Sequence, residues 1–242
     1  REGIQTVLCA KKISSRYNPH PNSFELRQGE ILGWYGLVGA GRTELARELI
    51  GIDPVTRGEL LVHGKRVKVS SYTSAFHKHR ICYVSENRKE EGLFLQHSIS
   101  TNISIVTLGV VRNRLGMISR RKERILAEKY KHSLSIKASS MDAPVSSLSG
   151  GNQQKICIAK GLVTDPEIII IDEPTVGIDV GTKAEIHKLI HRLAREGKSI
   201  ILISSDLPEI ILLADRLMVF RNGRICAEME NHKDYEAMSS SV

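Results

Sequence analysis

The sequence predicts an α/β fold built on a mostly parallel sheet, and three observations carry that prediction. The runs Ile31–Tyr35, Glu167–Ile171 and Ser199–Ser204 are apolar almost without interruption, the pattern of strands covered on both faces. Helical segments alternate with them, most clearly Lys183–Ala194, where Ile186, Leu189, Ile190 and Leu193 fall on one face. Such alternation makes a sheet with helices on its faces. Near the end, Asn222-Gly223 between Leu217–Phe220 and Arg224–Ala227 is a hairpin turn that adds an antiparallel β edge.

Taken in order, Thr6–Ala10 and Ile31–Tyr35 are strands, and Thr43–Ile50 is a helix opened by a glycine-rich loop. Glu59–His63 and Ile81–Val84 are further strands bounded by turn residues. Ser98–Ser147 offers no good strand, holds the basic helix Arg120–Leu134, and reads as a helical insertion. Asn152–Gly161 is a helix, and Arg216–Phe220 is the last strand before the hairpin. One domain with two lobes is expected: an α/β core over about 1–91 and 161–242, and a helical subdomain over about 92–160. Both ends, Arg1 and the serine-rich Glu236–Val242, read as cuts, natural or introduced, in a longer polypeptide.

A chain of 242 residues has room for a substantial core. With 41% hydrophobic and 26% charged residues it has an ordinary globular balance. The net charge of +8 favours an anionic partner, whether nucleotide, nucleic acid or an acidic membrane surface. No apolar run approaches the ~20 residues of a spanning helix, and no signal-peptide pattern opens the chain. Membrane association is therefore expected through a protein partner. Four widely spaced cysteines, Cys9, Cys82, Cys157 and Cys226, fit buried thiols in a reducing compartment.

Three motifs carry chemistry. Gly36-Leu37-Val38-Gly39-Ala40-Gly41-Arg42-Thr43 joins a strand to a helix, the context of the phosphate-binding GxxxxGK[ST] loop. Its glycines aim N–H groups at phosphate, the helix dipole assists, and Thr43 is placed to ligate Mg²⁺. Arg42 stands where lysine is usual; a wide planar fork keeps the charge and changes the geometry. The strand Ile168–Ile171 delivers Asp172 and Glu173 to its carboxyl end, where α/β sheets bind ligands. Ser149, Gly150 and Gly151 open a helix whose first N–H groups suit an anion.

Leu148-Ser149-Gly150-Gly151-Asn152-Gln153-Gln154-Lys155 resembles the LSGGxQ signature of the ABC ATPases. Ile168–Thr175 resembles that family's Walker B strand with its catalytic glutamate. Gly36–Thr43, arginine included, closely resembles the second half of the fused two-copy ATPases of bacterial carbohydrate importers of the ribose/galactose type. The resemblance implies the ABC ATPase fold, with ATP and Mg²⁺ as its cofactors. It implies that residues 36–43 hold phosphate, that Thr43 and Asp172 hold the metal, and that Glu173 is the general base. It implies that Ser149, Gly150, Gly151, Gln153 and the D-loop Asp179 close over the nucleotide of a partner domain.

Two further positions depart from the family's form. Glu86 stands at the Q-loop glutamine and Ser205 at the switch histidine; a hydroxyl cannot bring positive charge to a γ-phosphate. Arg42, Glu86 and Ser205 together imply a weak own site beside an intact signature. The partners implied are a first ATPase half, two membrane-spanning permease subunits and, indirectly, a periplasmic or extracellular sugar-binding protein, with no nucleic acid. The place implied is peripheral, on the cytoplasmic face of the bacterial plasma membrane, with the segment between Glu86 and Leu108, Arg88 and Lys89 included, docking a permease. A soluble ABC ATPase of DNA repair or translation and a non-hydrolysing regulatory nucleotide binder are the alternatives.

Three weaker signals remain. His187 and His191 lie four apart on a helix, a zinc spacing without a nearby third ligand. Arg112, Arg114, Arg120, Arg121, Lys122 and Arg124 form a basic cluster that could touch nucleic acid or lipid headgroups and, without interleaved aromatics, is read as a solvated helical arm near the membrane. Tyr17 is either an adenine-stacking aromatic or a plain loop tyrosine.

Overall fold

The computed structural model describes residues 5–113, 116–234 and 238–239. Arg1, Arg114 and most of Glu236–Val242 lie outside them. The chain divides into two compact units, residues 1–83, 167–173 and 190–242, and residues 84–166 and 174–189.

The first unit holds two sheets. Strands β1 (Thr6–Ser15), β2 (Asn22–Arg27), β4 (Val55–Val62) and β5 (Lys65–Val67) form an antiparallel sheet in the order β2-β1-β4-β5. The other sheet comprises β3 (Ile31–Tyr35), β6 (Ile81–Val84), β7 (Ile168–Asp172), β8 (Ser199–Ser204), β9 (Arg216–Arg221) and β10 (Arg224–Glu230), in the order β10-β9-β3-β8-β7-β6. β3 runs parallel to β8 and β9, β7 runs parallel to β8, and β10 is antiparallel to β9. Every residue of β7 and β8 is buried, so neither needs to alternate. On the edge strand β10 exposed and half-buried positions alternate, and Cys226 faces solvent there. That corrects the expectation of four buried thiols: Cys9, Cys82 and Cys157 are buried and Cys226 is not.

Trp34 of β3 is fully buried, its ring edge-to-face with Phe24 of β2 at 5.1 Å and tilted on Phe220 of β9 at 5.1 Å. One hydrophobic cluster thus joins residues of both sheets with Leu45, Leu49 and Ile50. Helix α1 (Arg42–Leu49) follows β3, α2 (Tyr72–Lys78) is capped by Ser71, and α8 (Leu207–Leu213) by Asp206. β1 runs beyond the expected Ala10 because it passes through an irregularity. Its pairing with β2 shifts register between Ala10 and Ile13, and Lys12 takes φ 50°. Such bulges break the period-2 pattern that sequence reading relies on.

The second unit is helical, with α3 (Ile99–Ser104), α4 (Leu108–Val111), α5 (Arg120–Ser133), α6 (Gly150–Leu162) and α7 (Val180–Arg195) as far as Leu189. Buried Asn102 ties its loops: its carbonyl accepts from Phe94 N–H at 2.8 Å, and its amide donates to Phe94 O at 2.9 Å and Ser98 O at 3.0 Å. Lys155 of α6 is buried and donates to Glu185 at 2.6 Å and to Ser135 O at 3.0 Å. Among the described residues no helix is long and apolar enough to cross a membrane.

Glu48, on α1, is buried. Burial pushes its carboxyl up to about 7; the Ser15 hydroxyl opposes that, while Asp53 and Glu44 add to it. A carboxyl raised on folding leaves stability whole below its ordinary 4.5 and removes it as pH climbs through about 7. Glu48→Gln should therefore match the parent at pH 4.5 and melt roughly 2–6 °C higher at pH 8. Thermal melts across that range check this, and a difference independent of pH would show that Glu48 is not the titrating group.

Candidate functional site

The loop after β3 is shaped from behind. Gly39 and Gly41 take φ 80° and 97°, and a Cβ on Gly41 would lie 2.6 Å from Gly223 Cα. A Cβ on Gly36 would lie 2.7 Å from Phe220 O. Gly223 N–H donates to Ala40 O at 2.9 Å. The Asn222-Gly223 turn, with φ 49° and 77°, therefore braces the loop, and Asn22 ties the turn down through Gly223 O (2.8 Å) and Ile225 N–H (2.9 Å). Leu37 and Val38 stand 76% and 88% exposed at the tip. Helix α1 has no side-chain cap, which leaves its first-turn N–H groups to an anion.

Acidic and basic groups converge beside this loop. Thr43 Oγ1 donates to Asp172 Oδ2 at 2.8 Å, and Tyr83 OH donates to the same oxygen at 2.9 Å. A hydroxyl against a carboxylate is a hard-oxygen pair that fits Mg²⁺, an ion that keeps waters and binds few protein groups. Among the described residues no group of three or more His, Cys, Asp or Glu could hold a metal.

Glu173 is buried, with φ 44°, its N–H donating to Ile203 O at 2.9 Å. Ser205 N–H donates to Glu173 Oε1 at 2.7 Å. Arg42 is buried too, with Nη1 3.4 Å from Glu173 Oε1 and Nη2 3.4 Å from Leu37 O. The structure therefore gathers Arg42, Thr43, Asp172, Glu173 and Ser205 in the first unit. Tyr83 joins them without having been assigned a role from the sequence; the available signal was an aromatic hydroxyl closing a strand. Tyr17 is 56% exposed, with the Arg16 guanidinium 5.1 Å from its ring centre.

In the second unit Ser149 caps α6. Its Oγ accepts from Asn152 N–H at 3.5 Å and from the Asn152 amide at 2.9 Å. A Cβ on Gly151 would come 2.1 Å from Thr182 Cγ2, and one on Gly150 3.3 Å from Gly177 O. Gln153 is buried, its amide donating to Leu148 O at 3.1 Å. Asp179 is exposed and starts α7; the Thr182 N–H (3.0 Å), then the Thr182 hydroxyl, hold its carboxyl below the usual range. Glu86 and Lys89 are exposed. Arg88 is turned inward, donating to Val176 O at 3.1 Å with Nη2 3.1 Å from a Gly150 Cβ position. In the basic cluster Lys122 donates to Arg112 O at 2.6 Å and Arg124 pairs with Asp142.

Comparison with known proteins supplies the context. The model of the family described as ABC transporter matches residues 20–176. A ribose import ATP-binding protein of Agrobacterium fabrum is 48% identical over 226 residues, 93% of this chain and 44% of its own length. A putative ribose/galactose/methyl galactoside import ATP-binding protein of the same organism is 46% identical over 211 residues, 87% of this chain and 42% of that one. The chain thus spans less than half the length of these relatives. A nucleotide-free ATP-binding cassette from an ABC transporter superposes with TM-score 0.82 at 20% identity, covering 97% of this chain and 95% of that one. A dimeric cassette in a post-hydrolysis state bound to ADP and Pi gives TM-score 0.78 at 19% identity, covering 93% and 99%. These two likenesses establish the fold, an ABC ATPase α/β architecture.

The brace behind the loop makes a paired prediction. Gly39→Ala meets open space and should lose only the ~1–2 kcal/mol of a left-handed non-glycine residue. Gly41→Ala adds a backbone clash with Gly223 and should lose ~1–3 kcal/mol more. Urea unfolding compares them; equal losses would mean that the hairpin does not hold the loop.

Proposed function

The chain belongs to the ABC transporter family, and on that premise we propose that it is the second ATPase half of a bacterial carbohydrate importer. In this reading it forms one nucleotide-binding domain with a helical subdomain, pairs with a first ATPase half, and couples ATP to permease movement at the cytoplasmic face of the membrane. Two membrane-spanning permease subunits, fed by a sugar-binding protein, would admit a monosaccharide. The names of its relatives support that substrate class. The observation that carries the reading is the meeting of Thr43 and Asp172 at 2.8 Å beside the braced loop.

Each residue has a role in this reading. N–H groups of residues 36–43 and the start of α1 take the phosphates. Thr43 and Asp172 would be the hard-oxygen pair that holds magnesium, which would supply charge neutralisation for the phosphates. Glu173 would orient and deprotonate water, yet its Oε1 already receives Ser205 N–H and faces Arg42. Ser205 contributes a backbone N–H where an imidazole would carry a proton and charge. This site is therefore proposed to bind nucleotide and hydrolyse it very slowly. Ser149, the Gly150–Gly151 backbone, Gln153 and Asp179 would complete the partner half's site. Of the charged pair proposed for docking a permease, Lys89 alone is exposed.

Two measurements test this division. Losing one well-placed transition-state charge costs ~3 kcal/mol, about a hundredfold in rate, so the purified chain should release phosphate far more slowly than once per second. Several turnovers per second, abolished by Glu173→Gln, would refute it. In the intact two-half protein with its permease, Ser149→Arg should abolish hydrolysis by placing bulk and charge at the cap, and Glu173→Gln should cost much less. The reverse ranking would assign the chemistry to this half's own site.

A further inference from the structure

Arg42 and Glu173 are unequally provided for. Arg42 has five N–H donors on a rigid fork and is 6% exposed. Among the described residues its side chain makes one hydrogen bond, a long one of 3.4 Å to Leu37 O, and buried Nη1 makes none, facing Glu173 Oε1 at 3.4 Å as an ion pair. Glu173 Oε1 has a far better partner in Ser205 N–H at 2.7 Å. A buried guanidinium needs an anion, and the carboxylate supplies its charge without good hydrogen-bond geometry. Glu173 can be left by Arg42 and keep a strong hydrogen bond, whereas Arg42 needs a replacement anion. Leu37 O, to which its other arm donates, belongs to the glycine loop itself, so the guanidinium already lies against the phosphate cradle.

We propose that Glu173 is the internal counter-anion of Arg42 when nucleotide is absent, and that a nucleotide phosphate binds by displacing it. Binding is then an exchange of ion-pair partners, with no bond made or broken. Glu173 is a determinant that weakens nucleotide affinity, and Arg42 is the positioning residue that holds its carboxylate. The inference rests on the nucleotide-binding reading above and adds a competitor built into the site.

A double-mutant cycle tests it, with ADP as probe in excess EDTA, so that neither metal nor hydrolysis enters. Calorimetry gives Kd for the parent, Glu173→Gln, Arg42→Met and the double variant. Glu173→Gln should tighten ADP roughly tenfold, Arg42→Met should weaken it, and in the Arg42→Met background Glu173→Gln should change Kd less than about threefold. Equal tightening in both backgrounds would be plain charge repulsion of phosphate and would overturn the exchange, as would no tightening in either. Binding by none of the four would overturn the nucleotide reading itself. Melting is the second readout: ADP should raise Tm more for Glu173→Gln than for the parent, because it restores the lost anion. If that variant fails to fold, Glu173→Asp, which withdraws the carboxylate by one methylene, should tighten ADP in the same direction, and unchanged affinity there would refute the exchange.

Discussion

The register of three central parallel strands is the constraint on which the site depends. Tyr35 of β3 lies opposite Ser204 of β8, and Ile203 lies opposite both Trp34 and Asp172 of β7. The glycine loop, Ser205 and Glu173 therefore leave the sheet at one edge, in consecutive positions on neighbouring strands. A one-residue slip would turn every side chain of a strand to the other face. The fully buried isoleucines of β7 and β8 oppose such a slip, because a displaced strand would carry Asp172 into the apolar layers. Core packing and site geometry are thus one constraint. The hairpin behind the loop adds the remaining coordinate by fixing Ala40 and Gly41 against Gly223.

Concentrating charge at that edge has an electrostatic consequence. Asp172, Glu173 and Arg42 are all buried, and buried charges are stable only when paired or hydrogen-bonded. Within the chain those partners are Thr43 and Tyr83 for Asp172, and Ser205 N–H and Arg42 for Glu173. Each satisfied group is a group already engaged. A lysine at position 42 would be a compact ammonium on a flexible stem; arginine spreads its charge over a plane wide enough to touch a loop carbonyl and a carboxylate together. On the function proposed above, affinity for phosphate and readiness of the glutamate for water are therefore linked through one side chain.

Much of this was legible in the sequence, for identifiable reasons. β3, β7 and β8 announce themselves because burial on both faces leaves polar residues only at the strand ends of β7 and β8, and the glycine loop because left-handed angles and close backbone approach leave few residue types. Less legible were β2, only six residues and buried at Asn22 as well as Phe24 and Leu26, and α8, whose Pro208-Glu209-Ile210-Ile211 reads as readily as a strand. Asn102 and Lys155 are polar residues with core positions: Asn102 is satisfied by its own loop at Phe94 and Ser98, Lys155 by Ser135 and Glu185, far off in sequence. The inward turn of Arg88 was invisible for the same reason: a run of charges reads as solvated until Val176 O is placed beside it. Arg42 was legible as a departure, but its contact with Glu173 joins residues more than a hundred positions apart.

The glycines of the signature show how a motif can mislead about its own information content. Gly151 is required by Thr182, since a methyl group there would overlap Cγ2 at 2.1 Å. Gly150 is crowded by Arg88 and Gly177 O at 3.1–3.3 Å. Packing within the second unit therefore favours glycine at both positions whether or not a phosphate ever arrives. Ser149 is different. It is exposed, and its role as helix cap would be met about as well by aspartate or asparagine. Aspartate would place a negative charge where a γ-phosphate is proposed to approach, whereas serine caps the helix and leaves that approach neutral. The uncharged cap, more than the paired glycines, is what α6 offers to an anion.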